Sequence, residues 1–268
     1  MERSVNDLER FFAENTGGKI EKWMHYFEIY DRHFARFRGT DVHVLEIGVA
    51  HGGSLRMWKH YFGPKALVYG VDAQPSTKML EEPRIQIFVG DQANADFLMS
   101  VVAAVPRIDI LIDDGGHTMR QQEVTFKTLF PYIGADGVYL CEDLHTSYWG
   151  EYGGGYRREG TFIELGKGLI DEINAWHSRS PSLVVSDFTK SAHSLHFYDS
   201  VLVVEKRRLQ PPSHEARGEN TIVFSDLPSA GPLNSTQLYP GRVRRIARRI
   251  PGHRLVARAV RRWRPTWP

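Results

Sequence analysis

With a single cysteine, Cys141, among 268 residues, the chain cannot form an intrachain disulfide, and its fold cannot depend on oxidation. No stretch reaches 18 uncharged apolar residues, and the opening MERSVNDLERFFAEN is charged from its second residue without an apolar run. Neither a membrane span nor a secretory leader is expected, and the expected location is cytoplasmic. No internal repeat is present. Acidic residues are missing from 241–268, which carry ten arginines, so the first 240 residues hold 24 basic against 32 acidic side chains, a balance of −8. A mildly acidic body is not the electrostatic footprint of a nucleic-acid reader, and no nucleic-acid partner is expected.

What the chain does have is enough apolar material, 41% hydrophobic and 12% aromatic, for a sizeable core. Helical periodicity runs over 5–13 and again over 23–37, where Trp23, Tyr26, Phe27, Tyr30, Phe34 and Phe37 recur at three and four residues. Short apolar runs then alternate with helical stretches: VHVLEIG at 42–48, ALVYGVD at 66–72, IQIFVG at 85–90, IDILID at 108–113 and GVYLCED at 137–143, with helices expected at 53–62, 94–104, 119–130 and 161–177. SLVVSDF, SLHFYDS and VLVVEK follow as closing strands, the last two close enough for a hairpin. The pattern predicts a Rossmann-like, doubly wound, mostly parallel seven-stranded sheet with one antiparallel edge strand. The organisation expected is a helical cap over 1–40, a catalytic domain over 41–206, and an irregular arm with the arginine-rich tail over 207–268.

Ligands of open parallel sheets bind beyond the carboxyl ends of the strands, and here every such end is acidic or glycine. LEIGVAHGGS supplies Glu46, Gly48 and Ser54 around a tight turn; Asp72, 24 residues after Gly48, suits ribose hydroxyls; Asp91 and Gln92 follow the third run. The strict G-x-G-x-x-G of a dinucleotide site is absent. An acidic rim disfavours a phosphate-bearing cofactor and favours S-adenosylmethionine, which carries a sulfonium and an amine.

The fourth and fifth ends read IDDGGH and CEDLHTSYW. Asp114, Glu142 and Asp143 are expected to converge as hard oxygen ligands for magnesium or manganese, since crowded carboxylates without a cation repel one another. No Cys–His cluster suits zinc. His117, three residues past Asp114, is the natural proton acceptor or else a fourth ligand. Asp113 is placed on the cofactor side of the site, or at the cap of the following helix.

In order, LEIGVAHGGSLRMW, GVDAQ, VGDQ, IDDGGH and YLCEDLHTSYW resemble the metal-dependent sugar O-methyltransferases that modify deoxysugars of macrolide antibiotics, with relatives acting on mannose or rhamnose oligosaccharides. The resemblance covers about 40–180 and departs at Gly116, where serine is common. It implies methyl transfer from S-adenosylmethionine to a sugar hydroxyl, magnesium on Asp114, Glu142 and Asp143, and His117 as base. The loop 145–160 is a candidate lid, with His145, Tyr148 and Trp149 offered to a sugar. A metal-dependent oxygenase using His117 and His145, or a catechol-like O-methyltransferase, is the alternative. The expected partner is a small-molecule or oligosaccharide acceptor. The tail is expected to form two amphipathic helices split at Pro251 that pack on the body or join subunits of a homo-oligomer, with contact to an anionic membrane the less favoured reading.

Overall fold

A computed structural model describes residues 5–219, so the tail and the readings attached to it lie outside the described residues. By its contacts a first unit ends at Pro212. Within the first unit, Asn6 opens α1 (Asp7–Glu14) with a capping box, its side chain accepting from the Glu9 amide while the Glu9 carboxylate accepts from the Asn6 amide. The next helix, α2 (Tyr26–Phe34), buries Tyr26, Phe27, Ile29, Tyr30, His33 and Phe34. It begins three residues later than the periodicity predicts. Trp23 is exposed and ends a non-helical segment whose carbonyl closes a turn on the Tyr26 amide.

Seven strands form one sheet: β1 (His43–Ile47), β2 (Leu67–Asp72), β3 (Ile85–Val89), β4 (Ile108–Asp113), β5 (Ile133–Cys141), β6 (Ala192–Tyr198) and β7 (Val201–Lys206), in the order β3-β2-β1-β4-β5-β7-β6. The first five pair in parallel, and the hairpin β6–β7 brings the expected antiparallel strand to one end, β7 lying against β5 with β6 outermost. Strand order reverses between β1 and β4, which places the switch point at their carboxyl ends.

Helices α3 (Gly53–Phe62), α4 (Ala95–Ala104), α5 (Met119–Leu129), α6 (Phe162–Ile173) and the short α7 (Asp187–Ser191) complete the unit. Two aromatic groups fill the core. Phe27, Tyr30, Phe34, Trp58 and Phe62 join α2 and α3 in one cluster with Val44, Val68 and Ile110 of the sheet, the Tyr30 and Trp58 rings edge-on at 5.0 Å. A second group links Phe126, Phe130, Tyr139, Phe162 and Phe188.

SLVVSDF is not a strand. Ser186 and Thr189 close a capping box that starts α7, and Val184 is exposed. Among the described residues no helix is long and apolar enough to cross a membrane.

Candidate functional site

The carboxyl ends of β1 to β4 open into a cavity of about 480 Å³. Its walls are Ile47 to His51 with Ser54, Val71 to Gln74, Gly90 to Gln92, Asp114 to Gly116 with Gln121, and Lys19 to Lys22 from the front of the chain. Gly48 fixes this arrangement. Its φ is 99°, and a Cβ there would stand 1.9 Å from the Asp114 carbonyl oxygen. The loop after β1 therefore lies directly on the loop after β4, joined by a hydrogen bond from the Asp114 amide to the Ile47 carbonyl at 2.9 Å. A similar bond, Glu142 amide to Asp113 carbonyl at 2.9 Å, ties β5 to β4.

Asp72 sits at the rim and shapes the turn. One carboxylate oxygen accepts from the Val49 and Ala50 amides, both at 2.9 Å, and the other from Gln74 at 2.8 Å. Asp91 is exposed at the opposite rim and accepts from the Ala93 amide at 2.8 Å. Gln92 faces the cavity but is held inward, accepting from the Gly116 amide at 2.7 Å and donating to Asp113 and Thr125. Two of the residues expected at the cofactor are withdrawn from it. Glu46 is fully buried beneath the turn, where Ser54 donates at 2.8 Å and the Trp58 indole at 3.0 Å; burial, partly offset by Lys22, pushes its carboxyl up to about 7. Asp113 is also fully buried, pushed up to about 7 chiefly by burial, with Oδ2 unpartnered. Nor does Asp113 cap α5. Thr118 does, in a capping box with Gln121.

The second half of the site is acidic. Asp114 Oδ1, Asp143 Oδ2 and His117 Nε2 converge: the imidazole nitrogen is 3.7 Å from Asp114 and 3.5 Å from Asp143, and one atom from each residue lies within 4.8 Å of the others. Glu142 is behind them, 1% exposed, with Oε1 accepting from Tyr30 at 2.7 Å and Oε2 from Lys22 at 2.8 Å. Lys22 also pairs with Asp114 Oδ2. Burial alone would lower the Lys22 pKa, but Asp114, Glu142 and Glu46 outweigh it and raise it above lysine's ordinary value. Glu142 is itself driven well up by burial and by Asp114, because one ammonium cannot neutralise several carboxylates. Tyr26 donates to Asp143 Oδ1 at 2.8 Å.

Backbone strain gathers at the same loops. Of the non-glycine residues with left-handed φ, Ala50 (46°) lines the cavity, His117 (55°) and Asp143 (54°) are in the acidic cluster, and Ser200 (64°) holds His145. A left-handed backbone at such residues is held in place only where the surroundings demand it. His145 stands at the edge of the cluster, its Nδ1 2.5 Å from Ser200 Oγ and 4.0 Å from Asp143 Oδ1. Tyr148 and Trp149 are half-exposed, and Trp149 packs edge-on against His145 at 4.7 Å. Beside them Leu144, His145, Tyr148, Ile163, Ile170 and Phe197 line an apolar hollow of about 400 Å³. The loop is folded rather than open, with Gly154 and Gly155 amides bonded to the Trp149 and Ser147 carbonyls.

Three residues of this site were not singled out by the sequence. Tyr26 and Tyr30 read as a packing face, and only their spacing of four, which sets both hydroxyls on one side of α2, hinted at more. Lys22 carried no signal, lying 92 and 120 residues from its partners in a stretch without periodicity.

The donor set fits a hard divalent cation: carboxylate oxygens and one imidazole, crowded enough that a lysine ammonium already stands among them. The glycine-floored, acid-rimmed cavity fits a cofactor without phosphates.

No protein-family model matches the chain. It is 38% identical over 229 residues to a tetracenomycin-C rhamnosyl 3'-O-methyltransferase of Streptomyces olivaceus, covering 81% of this chain and 56% of the relative. To mycinamicin VI 2''-O-methyltransferase of Micromonospora griseorubida it is 37% identical over 215 residues, covering 74% and 51%. The solved structure of the mycinamycin-pathway methyltransferase MycE, in complex with Mg, SAH and mycinamycin VI, superposes with a TM-score of 0.67 at 35% identity, covering 77% of this chain and 54% of that one. The chain spans about half the length of the curated relatives it matches.

Proposed function

The chain belongs to the sugar O-methyltransferases of natural-product biosynthesis, and from that premise we propose that it methylates a sugar hydroxyl of a small-molecule glycoside, using S-adenosylmethionine and magnesium or manganese. The observation that carries the reading is the adjacency of two halves. The cofactor loop at Gly48 rests on the backbone of Asp114, whose side chain belongs to the acidic cluster.

When bound, S-adenosylmethionine supplies an activated methyl group and the metal lowers the pKa of the hydroxyl it polarises. The protein's part is to hold, orient and deprotonate. Asp114, Glu142 and Asp143 are the residues proposed to hold the metal, with Tyr26 and Tyr30 fixing the rotamers of Asp143 and Glu142 through one hydroxyl each. His117 Nε2 faces the cluster and accepts the hydroxyl proton, and the carboxylates of Asp114 and Asp143 beside it stabilise the imidazolium that results. Asp72, Asp91, Gln92 and Ser54 are proposed to bound the cofactor directly. Glu46 and Asp113 support it from below, one bracing α3 through Ser54 and Trp58, the other holding Gln92. The apolar hollow beside His145 and Tyr148 suits the non-sugar part of a glycoside, which would bring its sugar to the cluster.

The test is methyl transfer from labelled S-adenosylmethionine to a panel of rhamnosyl, deoxysugar and oligosaccharide acceptors, with magnesium and with excess chelator. Transfer to a glycoside that stops in chelator and returns with magnesium is expected. Full activity in chelator overturns the metal role, and binding of 2-oxoglutarate in place of S-adenosylmethionine overturns the methyl transfer.

A further inference from the structure

Lys22 is the one residue in the acidic cluster to which the proposed chemistry gives no task. Its side chain is 3% exposed, and its ammonium bridges Asp114 Oδ2 and Glu142 Oε2. Both carboxylates belong to the proposed metal set. A magnesium ion holds its oxygen ligands at about 2.0–2.1 Å. Both oxygens of Glu142 already accept a hydrogen bond, Oε1 from Tyr30 at 2.7 Å and Oε2 from Lys22 at 2.8 Å, so a metal drawing on Oε2 competes with the ammonium for it.

Lys22 is also tied to the cofactor half. The segment that carries it crosses the turn after β1 at van der Waals limit: a Cβ on Gly53 would stand 2.3 Å from the Gly18 carbonyl oxygen, and one on Gly18 would stand 2.3 Å from that of His51. Asn15 pins the start of the segment, donating to the Gly18 carbonyl at 2.9 Å. From there Lys19 to Lys22 form a wall of the cavity. A lysine drawn out of the carboxylates has to move with, or against, that wall.

We propose that Lys22 is the resident counter-ion of the metal-free protein and that a divalent metal loads by displacing it. Metal occupancy and the position of the 15–24 segment over the cofactor cavity are then one equilibrium. The inference rests on the metal reading given above. Electrostatics gives it direction, because a divalent ion neutralises the cluster more fully than one ammonium and makes Lys22 surplus once bound.

The test follows manganese binding to the full chain, without cofactor or acceptor, by calorimetry and by the loss of the free-ion paramagnetic resonance signal. Lys22→Met removes the competitor, and its manganese affinity is expected to rise at least tenfold over wild type. Equal or weaker binding by Lys22→Met overturns the inference while leaving the metal site standing; no binding by either protein overturns the metal reading and the inference with it. Should Lys22→Met not fold, the wild type answers through Trp23, the exposed neighbour of Lys22 whose ring lies 6.1 Å from that of His145. Saturation with magnesium is expected to change tryptophan emission in wild type and not in Trp23→Phe. Calorimetrically confirmed binding that leaves Trp23 emission unchanged overturns the displacement.

Discussion

Replacing Gly48 with alanine separates two effects that usually arrive together, backbone strain and steric collision. At φ 99° an L-residue is strained, a cost of about 1–3 kcal/mol. The new methyl group also meets the Asp114 carbonyl at 1.9 Å, where ordinary contact begins at 3.4 Å, so the loops after β1 and β4 must part by about 1.5 Å. That breaks the Asp114–Ile47 hydrogen bond, worth about 1 kcal/mol net. It also pulls the cofactor turn away from the acidic cluster, and a displacement near 1 Å between reacting groups costs roughly a hundredfold in rate. Gly63 is the control. Its φ of 93° imposes similar strain, but a Cβ there meets nothing within 4 Å. Both variants should melt earlier than wild type, and only Gly48→Ala should lose turnover by about a hundredfold together with affinity for S-adenosylhomocysteine. Circular dichroism confirms folding, calorimetry reads affinity, and labelled-methyl transfer reads rate. If Gly48→Ala loses no more than Gly63→Ala in both, the two half-sites are not locked together at this contact.

His117→Ala should reduce turnover by roughly a hundredfold or more with manganese affinity little changed, and the acid limb of the pH–rate profile should disappear; a shifted metal requirement would make His117 a ligand instead. Glu46 titrates near 4.5 when unfolded and about 7 when folded, so it contributes stability that is full below 4.5 and is lost as pH rises through 7. The loss amounts to roughly 3 kcal/mol. In the metal-free protein the stability of Glu46→Gln relative to wild type should therefore climb by about that amount between pH 4.5 and 7.5, whatever the constant offset. Parallel denaturant midpoints across that range would refute the buried-carboxyl account.

Most strands and helices were legible because burial on both sheet faces leaves continuous apolar runs, and because each run stops at an acid or glycine where the chain meets solvent. Facing was harder. Glu46 stands within a strand buried at all five positions, and nothing in LEIG says that its carboxylate turns under the loop to meet Ser54 and Trp58, eight and twelve residues on. Asp113 and Asp114 are adjacent, and a strand sends neighbours to opposite sides, but periodicity alone does not say which of the two faces the acidic cluster. Two local signals were present but outweighed by others. T-M-R-Q at 118–121 is the signature of the α5 cap, and S-D-F-T at 186–189 starts a helix where apolar SLVV suggested a strand. Lys22 was beyond reach in principle, since its meaning comes wholly from residues that only the folded chain brings to it.

The left-handed backbone at His117 and Asp143 sets a tension between durability and use. Glycine at either position would relieve the backbone strain, at the cost of a freer unfolded chain and, at 143, of the hydrogen bond from Tyr26. Where the strain outweighs those costs, variants enriched by heat alone would be drawn toward glycine at 117 and 143, losing the proposed proton acceptor and one carboxylate of the cluster. Stabilising this scaffold for use therefore calls for gains elsewhere, in the aromatic core or on exposed helix faces, with these two residues held fixed.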